Sequence, residues 1–305
     1  MNDVGRTILV TGATGNVGSE VVKQLVSSFS SSSSGQSVIR AAAVHSQNKA
    51  DKFRQYGETV EIVNMDYNKP ETIAAALNNV GKLFLLTLPS LNMTDISSKV
   101  VREAKKNGVQ HIVKLSVFGA DAEPGIIIGR LHGQEERIIE ESGMTCTFLR
   151  SSAFMQNFVN YFGYTIKAQN AIYLPAGEGK VSFVDARDVA AVAAKLLTKN
   201  NGRSQHENKV YVITGPEALS YSQVAEIISK EIGRKISYID TAEEDTRKVM
   251  KSMGREDWLI DAILEEFYNA RVGNRSKTTN TVEQIIGRKL TSFAQFVRDY
   301  ANSFN

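Results

Sequence analysis

Three glycines near the start of the chain have the spacing of a turn that holds the pyrophosphate of a dinucleotide. They lie in Val10-Thr11-Gly12-Ala13-Thr14-Gly15-Asn16-Val17-Gly18, directly after an apolar run. In this pattern the first glycine allows a tight turn, the second lets the backbone approach the phosphates, and the third lets a helix pack closely on the strand. The start of that helix offers free N–H groups and the positive end of its dipole. A turn that merely needs glycines is the structural alternative. The residues that we expect to bind the cofactor here are Gly12, Thr14, Gly15, Asn16, Val17 and Gly18.

The end of the second predicted strand decides between NAD and NADP. An NAD site normally has an acidic residue about 20 positions after the glycines, where its carboxylate holds the ribose hydroxyls. Here the strand ends in Ala43-Val44-His45-Ser46-Gln47-Asn48-Lys49, and no acid appears before Asp51. A carboxylate would repel a 2′-phosphate, whereas histidine, serine and lysine offer donors to it. We therefore predict NADP, with His45 among its ligands and NAD as the second candidate; solvated loop residues are the alternative interpretation.

Four further residues follow later predicted strands and belong to the same expected site. Asp66 follows the third strand, where its carboxylate can bind the adenine amine or organise a turn. Thr87 and Pro89 end the fourth strand beside the expected nicotinamide-ribose region, and proline has no N–H to donate there. Ser116 follows the fifth strand and is included for its position alone.

Short β-rich runs alternate with helical patterns through the first half of the chain and place these residues at strand ends. This alternation predicts an α/β fold with a doubly wound parallel sheet of the Rossmann type. The predicted strands cover Thr7–Thr11, Val38–Val44, Val60–Met65, Lys82–Leu88, His111–Ser116 and Thr145–Leu149. The predicted helices between them cover Ser19–Ser27, Glu71–Asn79, Ile96–Asn107 and Gly133–Glu141.

The second half of the chain is less regular and predicts a smaller C-terminal α/β lobe over the cofactor. We expect a dinucleotide-binding domain over 1–155 and a mixed region over 156–305, from which about 181–215 returns to the sheet. The serine-rich stretch Ser27–Ser34 is expected to be a flexible surface loop. The elements predicted in the second half are strands over Val181–Val184 and Lys209–Thr214 and helices over Asp188–Leu197, Ser220–Ile232, Glu256–Tyr268 and Ser292–Ala301.

Composition narrows the classes of function. Thirty-six basic and 33 acidic residues leave a net charge of +3 without a dense basic block, which does not favour direct nucleic-acid binding. No apolar run reaches the roughly 20 residues that span a bilayer. Cys146, the one cysteine, lies in an apolar strand and is expected to be a buried, inert thiol. These features predict a cytoplasmic protein, or a nuclear one if it is a regulator, and they do not decide its oligomeric state; the sequence predicts no metal site.

Several motifs in order resemble the NmrA-like group of atypical short-chain dehydrogenase/reductases, over almost the whole chain. The resemblance is nearest in pattern to the branch of NADPH quinone reductases and triphenylmethane reductases. It implies NADP(H) binding and either reductase activity or a role as a redox-sensing regulator. Besides the glycine turn, the motifs are Asn64-Met65-Asp66-Tyr67, Leu115-Ser116-Val117-Phe118-Gly119-Ala120, Gly129-Arg130-Leu131-His132 with Glu136, Ser142 to Arg150, Ala153-Phe154-Met155-Gln156-Asn157, Gly177 to Lys180 and Asp185 to Ala190.

The wider superfamily uses a Tyr-x-x-x-Lys pair, and that pair is absent here. Alignment on Glu136 places His132 at the lysine position and Ile128 at the tyrosine position. A quinone needs less help than a ketone, because its hydride adduct becomes aromatic. His132, with an ordinary pKa of about 6.5, is able to donate a hydrogen bond or proton. A hydrogen bond to the cofactor ribose, or a structural one, is the alternative role.

Aromatic residues after the sixth strand suit a flat acceptor. The expected substrate pocket comprises Phe154, Asn157, Phe158 and Tyr161, with core packing as the alternative. The sequence thus predicts a weak NADPH-dependent reductase of quinone-like acceptors or a redox sensor. The competing hypothesis is a non-catalytic NADP-sensing regulator that acts through a protein partner in transcription or development.

Overall fold

The computed structural model describes residues 7–30, 37–43, 47–198 and 205–305. Its strands are β1 (Thr7–Val10), β2 (Ile39–Ala43), β3 (Val60–Asn64), β4 (Val80–Leu85), β5 (His111–Val117), β6 (Thr145–Ser151), β7 (Ala171–Leu174), β8 (Lys180–Val181), β9 (Lys209–Ile213), β10 (Leu219–Ser220) and β11 (Ser237–Asp240).

Helices alternate with these strands, and a 3₁₀ segment covers Asp51–Thr59. The α-helices are α1 (Asn16–Ser30), α2 (Gln47–Ala50), α3 (Pro70–Leu77), α4 (Met93–Lys106), α5 (Ile127–Glu141), α6 (Asn157–Asn160), α7 (Gly163–Gln169), α8 (Ala186–Thr198), α9 (Tyr221–Ile232), α10 (Glu243–Ser252), α11 (Asp257–Arg271), α12 (Thr281–Ile286), α13 (Phe293–Asp299) and α14 (Ala301–Phe304). None of the described helices combines the length and apolar character that a bilayer crossing requires.

Seven strands form one sheet in the order β3-β2-β1-β4-β5-β6-β9, which confirms the predicted doubly wound α/β fold. The pairings that join β3, β2, β1, β4 and β5 are parallel. The chain moves outward from β1 to β3 and then returns to the other side of β1 with β4. In such a sheet, ligands bind outside the carboxyl ends of the strands where the order reverses. Here that point lies between β1 and β4.

The described residues form two compact units. One comprises those within 1–121, 129–150 and 189–211, and the other those within 122–128, 151–188 and 212–305. In the first unit, strands buried on both faces need continuous apolar runs, and these strands supply them. Its core includes Leu9, Leu83, Leu85, Val100, Ile112 and Phe148.

The second unit is built around aromatic side chains instead. Phe158 meets Phe183 and Phe293 edge to face, with ring centroids 5.1 Å apart in each pair. Two small sheets frame this core, the parallel pair β7–β11 and the antiparallel pair β8–β10. Helix α9 begins with a capping box in which Ser220 and Gln223 satisfy each other's backbone N–H groups.

The prediction of a loop over Ser27–Ser34 is wrong for its first four residues, because α1 continues to Ser30. The hydroxyls of Ser27, Ser28 and Ser30 each donate to the carbonyl four residues earlier. Serine can therefore remain helical here by bonding to its own helix rather than competing with it. Residues 31–34 lie outside the described residues.

Other boundaries also differ from the prediction. The strand expected over Val181–Val184 is only Lys180–Val181, and Val184 makes an isolated bridge with Phe154. The last predicted helix stops at Asp299, and a separate turn of helix follows over Ala301–Phe304. Helix α10 was not predicted; it buries no residue, and Val249 and Met250 are the two large apolar residues in its sequence, which is otherwise polar.

Candidate active site at the carboxyl ends of the strands

The glycine turn has the predicted strand–turn–helix geometry. Gly12 has φ +61°, and a Cβ there would lie 2.8 Å from Leu86 Cδ2. A Cβ at Gly18 would lie 2.2 Å from the carbonyl oxygen of Gly12, so α1 packs on the turn only because residue 18 is glycine. Helix α1 begins at Asn16, and the first N–H groups of a helix have no partner within it. This cradle fits a pyrophosphate. The cofactor contacts assigned to Gly12, Thr14, Gly15, Asn16, Val17 and Gly18 stay predictions.

Thr11 joins the ends of β1 and β4 at the point where the strand order reverses. Its hydroxyl donates to the carbonyl of Leu86 at 3.0 Å and accepts from the N–H of Leu86 at 2.7 Å. Its own N–H donates to the carbonyl of Phe84 at 3.0 Å. The residues that follow β4 are therefore held beside the glycine turn.

Asp66 organises a turn, which is the alternative that the sequence left open. Its Oδ1 accepts from the N–H of Asn68 at 2.9 Å, and its own N–H donates to Thr72 Oγ1 at 2.9 Å. An adenine contact stays a prediction. His45 and Ser46 lie outside the described residues, and Lys49 is exposed on α2.

A buried polar cluster lies directly after β4, on β5 and on the helices α4 and α5. Lys114 Nζ donates to the carbonyl of Leu115 at 2.7 Å and to Thr87 Oγ1 at 3.0 Å. It also lies 2.9 Å from Glu135 Oε2, and the side chains of both residues of this ion pair are 0% exposed. Glu135 Oε1 accepts from Thr87 Oγ1 at 2.6 Å and from the hydroxyl of Ser97. We call Thr87, Ser97, Lys114, His132 and Glu135 the carboxyl-end cluster.

Burial and the single ion pair set the charges in this cluster. Burial alone would raise the pKa of Glu135, but the charge of Lys114 outweighs it and holds the pKa at about 2. Burial lowers the pKa of Lys114, and the charge of Glu135 opposes that change. Burial, followed by the charge of Lys114, lowers the pKa of His132 below its usual 6.5. At neutral pH the cluster thus contains a carboxylate and a neutral imidazole.

His132 lies on α5, one turn after Ile128, because the helix begins at Ile127, six residues before the predicted start at Gly133. Its Nδ1 atom is 3.5 Å from Lys114 Nζ and 3.2 Å from Glu135 Oε2. Every hydrogen bond or ion-pair contact of this ring within the described residues is through Nδ1, so its polar partners lie on one side only.

Ser116 takes part in a second polar network on the neighbouring part of β5. Its hydroxyl donates to Glu136 Oε1 at 2.5 Å. Arg150 donates to both oxygens of Glu136, at 3.0 and 2.6 Å, and pairs with Asp121 at 2.5 Å. The proton of the Ser116 hydroxyl is therefore used within the protein, and its contact with a cofactor stays a prediction.

The predicted substrate residues of the second unit differ in their exposure. Phe158 is 0% exposed within the aromatic core, so packing, the alternative interpretation, is its role. Tyr161 is 67% exposed, while Phe154 and Asn157 are half-buried. Pro89 is exposed after β4, between Leu88 and Leu91, which are 71% and 67% exposed.

Sequence reasoning missed Lys114, Glu135 and Ser97. The signal that could have found the first is a lone lysine inside the strand run His111-Ile112-Val113-Lys114-Leu115, since a strand buried on both faces does not accept a charge without a partner. The partner comes from α5, and no spacing rule links it to β5. Within the described residues, no group of three His, Cys, Asp or Glu side chains is placed to hold a metal ion.

Comparisons with known proteins agree with this architecture. The model of the NmrA-like family matches residues 5–301. The NAD(P)H azoreductase of Xenophilus azovorans is 36% identical over 297 residues, which cover 97% of this chain and 99% of that protein. The NADPH-dependent quinone oxidoreductase of Escherichia coli, solved with NADPH, has a TM-score of 0.81 at 26% identity and covers 98% of this chain and 99% of its own. Citrobacter sp. triphenylmethane reductase, complexed with NADP(H), has a TM-score of 0.79 at 26% identity, with 96% and 99% coverage.

Proposed function

Because the chain belongs to the NmrA-like family, we propose that it is an NADPH-dependent reductase of quinone-like aromatic acceptors. Three similar proteins support the class of reaction: an NAD(P)H azoreductase, a quinone oxidoreductase solved with NADPH and a triphenylmethane reductase complexed with NADP(H). The absence of an acid between Ala43 and Asp51 supports NADPH over NADH.

One observation carries the proposal. A continuous set of contacts leads from the glycine turn to His132. Thr11 bonds to the backbone of Leu86, the next residue Thr87 bonds to Glu135, and Glu135 and Lys114 both meet the His132 ring. The cradle for the dinucleotide and the neutral imidazole are thus parts of one rigid arrangement at the switch point of the sheet.

When bound, the nicotinamide of NADPH supplies a hydride. The turn around Gly12 and the start of α1 hold the pyrophosphate. His132 is the candidate catalytic residue, and it donates a proton to an oxygen of the acceptor. A strong acid is not needed, because a quinone gains aromatic stabilisation as it is reduced, and this explains how the site works with Ile128 in place of a tyrosine.

Turnover is the direct test. Purified protein mixed with NADPH and a benzoquinone should consume NADPH well above the uncatalysed rate, as followed by its absorbance. If NADPH binds but several quinones are not reduced, the reductase proposal fails and the NADP-sensing regulator takes its place. Titration calorimetry checks the cofactor: NADP should bind more tightly than NAD.

A pair of glycine variants tests the cradle. Gly18→Ala should abolish NADPH binding, because its Cβ would meet the backbone of Gly12 at 2.2 Å. Gly163→Ala is the matched control, because its Cβ would lie 3.7 Å from its nearest neighbour. Equal cofactor affinity in the two variants would contradict the placement of the dinucleotide at this turn.

A further inference from the structure

Lys114 is a fully buried lysine that lies just before the motif beginning at Leu115 and belongs to none of the motifs that carry the family resemblance. Its side chain is 0% exposed on a central strand of the sheet. Lysine is almost never fully buried without a partner, because removing its charge from water is costly. A single ion pair with Glu135 does not explain the choice, since apolar residues of similar volume often replace a buried pair without loss of stability.

The hydrogen atoms of Lys114 can be assigned one by one. An ammonium group has three donors and no acceptor. Two of them serve Leu115 O at 2.7 Å and Thr87 Oγ1 at 3.0 Å. The third faces both Glu135 Oε2 at 2.9 Å and His132 Nδ1 at 3.5 Å.

Hydrogen bonding distinguishes these two partners. Glu135 Oε2 lies 2.9 Å from Lys114 Nζ and 3.2 Å from His132 Nδ1, but it has no hydrogen-bond partner within the described residues. Lys114 Nζ and His132 Nδ1 are hydrogen-bonded at 3.5 Å. Because an ammonium group cannot accept, Nδ1 is the acceptor in that bond. The neutral ring then has its hydrogen on Nε2, which makes no hydrogen bond within the described residues.

We propose that Lys114 is the proton source of this site, donating to His132 Nδ1 while the ring passes its Nε2 proton to an oxygen of the reduced acceptor. This inference rests on the proposed reductase function. The acceptor gains two electrons and one hydrogen as hydride from NADPH, and its oxygen gains the proton from Nε2. Nδ1 then gains a proton from Nζ, which is left as a neutral amine. After the product leaves, Nε2 takes up a proton from solvent and Nδ1 returns its proton to Nζ, which restores the resting cluster. Lys114 acts through His132 and is a positioning and proton-supplying residue.

The charges that face the pair are compatible with this transfer. Glu135 and Glu136 lie on α5 with His132, and both oxygens of Glu136 are held by Arg150. Glu135 is therefore the carboxylate that stabilises charged Lys114 in the resting cluster. Burial makes the ammonium a stronger acid than an exposed lysine, since it lowers the pKa of Lys114.

The position of the ring proton is measured without cofactor or acceptor. Long-range ¹H–¹⁵N spectra of the free protein should show neutral His132 protonated at Nε2, with its signals assigned by their loss in His132→Ala. The other three histidines in the chain are internal references. In Lys114→Met/Glu135→Gln the preference for this tautomer should disappear. A wild-type ring protonated at Nδ1 overturns the proposal, because Lys114 then has no acceptor on the ring.

Kinetics test the transfer itself. The variant Lys114→Met/Glu135→Gln removes both charges, so it avoids leaving one of them buried alone. Its kcat should fall by about tenfold or more, since positioned proton transfer contributes about 10²–10⁴-fold. Wild type should lose activity at high pH, where Lys114 gives up its proton, and this loss should be absent from the profile of the variant. NADP affinity should be unchanged.

Lys82→Met is the matched control, since Lys82 is a partly buried lysine that donates to the carbonyl of Leu197 at 2.8 Å outside the site. An unchanged kcat and pH profile in Lys114→Met/Glu135→Gln overturns the proposed proton transfer from Lys114 to His132, while the reductase function stands. If wild type reduces no acceptor, the proposed function fails, and the proton transfer fails with it as a reaction step. The spectra still decide whether Lys114 donates to the ring.

Discussion

Similar residues lie around the amino-terminal and carboxyl-terminal parts of β5, and the two groups differ in what their side chains contact. At the amino end, His111 Nε2 lies 2.9 Å from Thr147 Oγ1, and Thr147 donates to the carbonyl of His206 at 2.7 Å. Lys82, on the adjacent strand, donates to the carbonyl of Leu197. At the carboxyl end, the lysine, histidine and threonine of the carboxyl-end cluster meet a fully buried carboxylate, Glu135. Each end thus has a lysine, a histidine and a threonine.

The difference separates a structural network from a candidate chemical one. At the amino end the hydrogen bonds finish on backbone carbonyls, and the nearby carboxylate, Glu207, is only half-buried. At the carboxyl end they connect side chains whose protons can move, beside the glycine turn. Parallel sheets bind ligands at their carboxyl ends. Position in the sheet, rather than residue type, therefore distinguishes His132 from His111.

The largest expected difference between the two ends of β5 is in the free energy of unfolding lost when the lysine at each end is replaced. Lys114→Met should lower the free energy of unfolding by about 3–5 kcal/mol, because it leaves the carboxylate of Glu135 buried without a partner. Lys82→Met should cost only about 1 kcal/mol, the value of one ordinary hydrogen bond. Urea unfolding at neutral pH measures both. Equal losses of unfolding free energy in the two variants would contradict the stronger dependence of the carboxyl-end cluster on its buried charge.

The two ends should also weaken in different pH ranges. Burial, assisted by Lys82, lowers the pKa of His111 to about 4. The unfolded chain therefore binds a proton that the folded protein does not, and about 3 kcal/mol of stability is lost as the pH falls from about 6.5 to 4. The Glu135 pKa of about 2 makes a similar contribution, present above pH 4.5 and lost as the pH falls from there toward 2.

His111→Gln should remove the loss assigned to that histidine, while Lys114→Met/Glu135→Gln should remove only the loss in the lower range. Stability measured by urea unfolding at a series of pH values checks both. A His111→Gln profile that parallels wild type between pH 6.5 and 4 would contradict the assignment.

Alanine substitutions of the two histidines should have effects on kcat that differ by about two orders of magnitude. His132→Ala should lower kcat for benzoquinone by about 100-fold, the lower range for a group that transfers a proton. NADPH affinity, measured by titration calorimetry, should be retained. His111→Ala, at the other end of the strand, should leave the kcat of the folded protein unchanged. A large kcat loss in both variants would show a general effect of packing rather than chemistry at His132.

The smallest expected difference is between two threonines. Thr87→Val removes bonds to Lys114 and Glu135 and should cost about 2 kcal/mol, because both partners are charged. Thr147→Val removes bonds to an imidazole and a carbonyl and should cost about 1 kcal/mol. Thermal unfolding of the two variants side by side measures the difference, and a reversed order would contradict the charge assignment at the carboxyl end.

Residues with local partners were predicted more accurately than residues with distant ones. The burial of Cys146, which is 4% exposed, follows from the apolar strand around it, and burial raises the pKa of this thiol to about 11. Phe158 was assigned to a pocket because aromatic residues suit both acceptors and cores. Its contacts with Phe183 and Phe293 come from far along the chain and are not visible in local spacing.

The sequence by itself determined the doubly wound sheet and the glycine turn, because strand alternation and the requirement for glycine at Gly12 and Gly18 are local properties. Only the tertiary structure decided that Lys114 and Glu135, 21 residues apart, are a buried pair in contact with His132. The physical reason is that burial and charge pairing depend on which strand end a helix covers. The pKa values of Lys114, His132 and Glu135 are therefore properties of the folded chain.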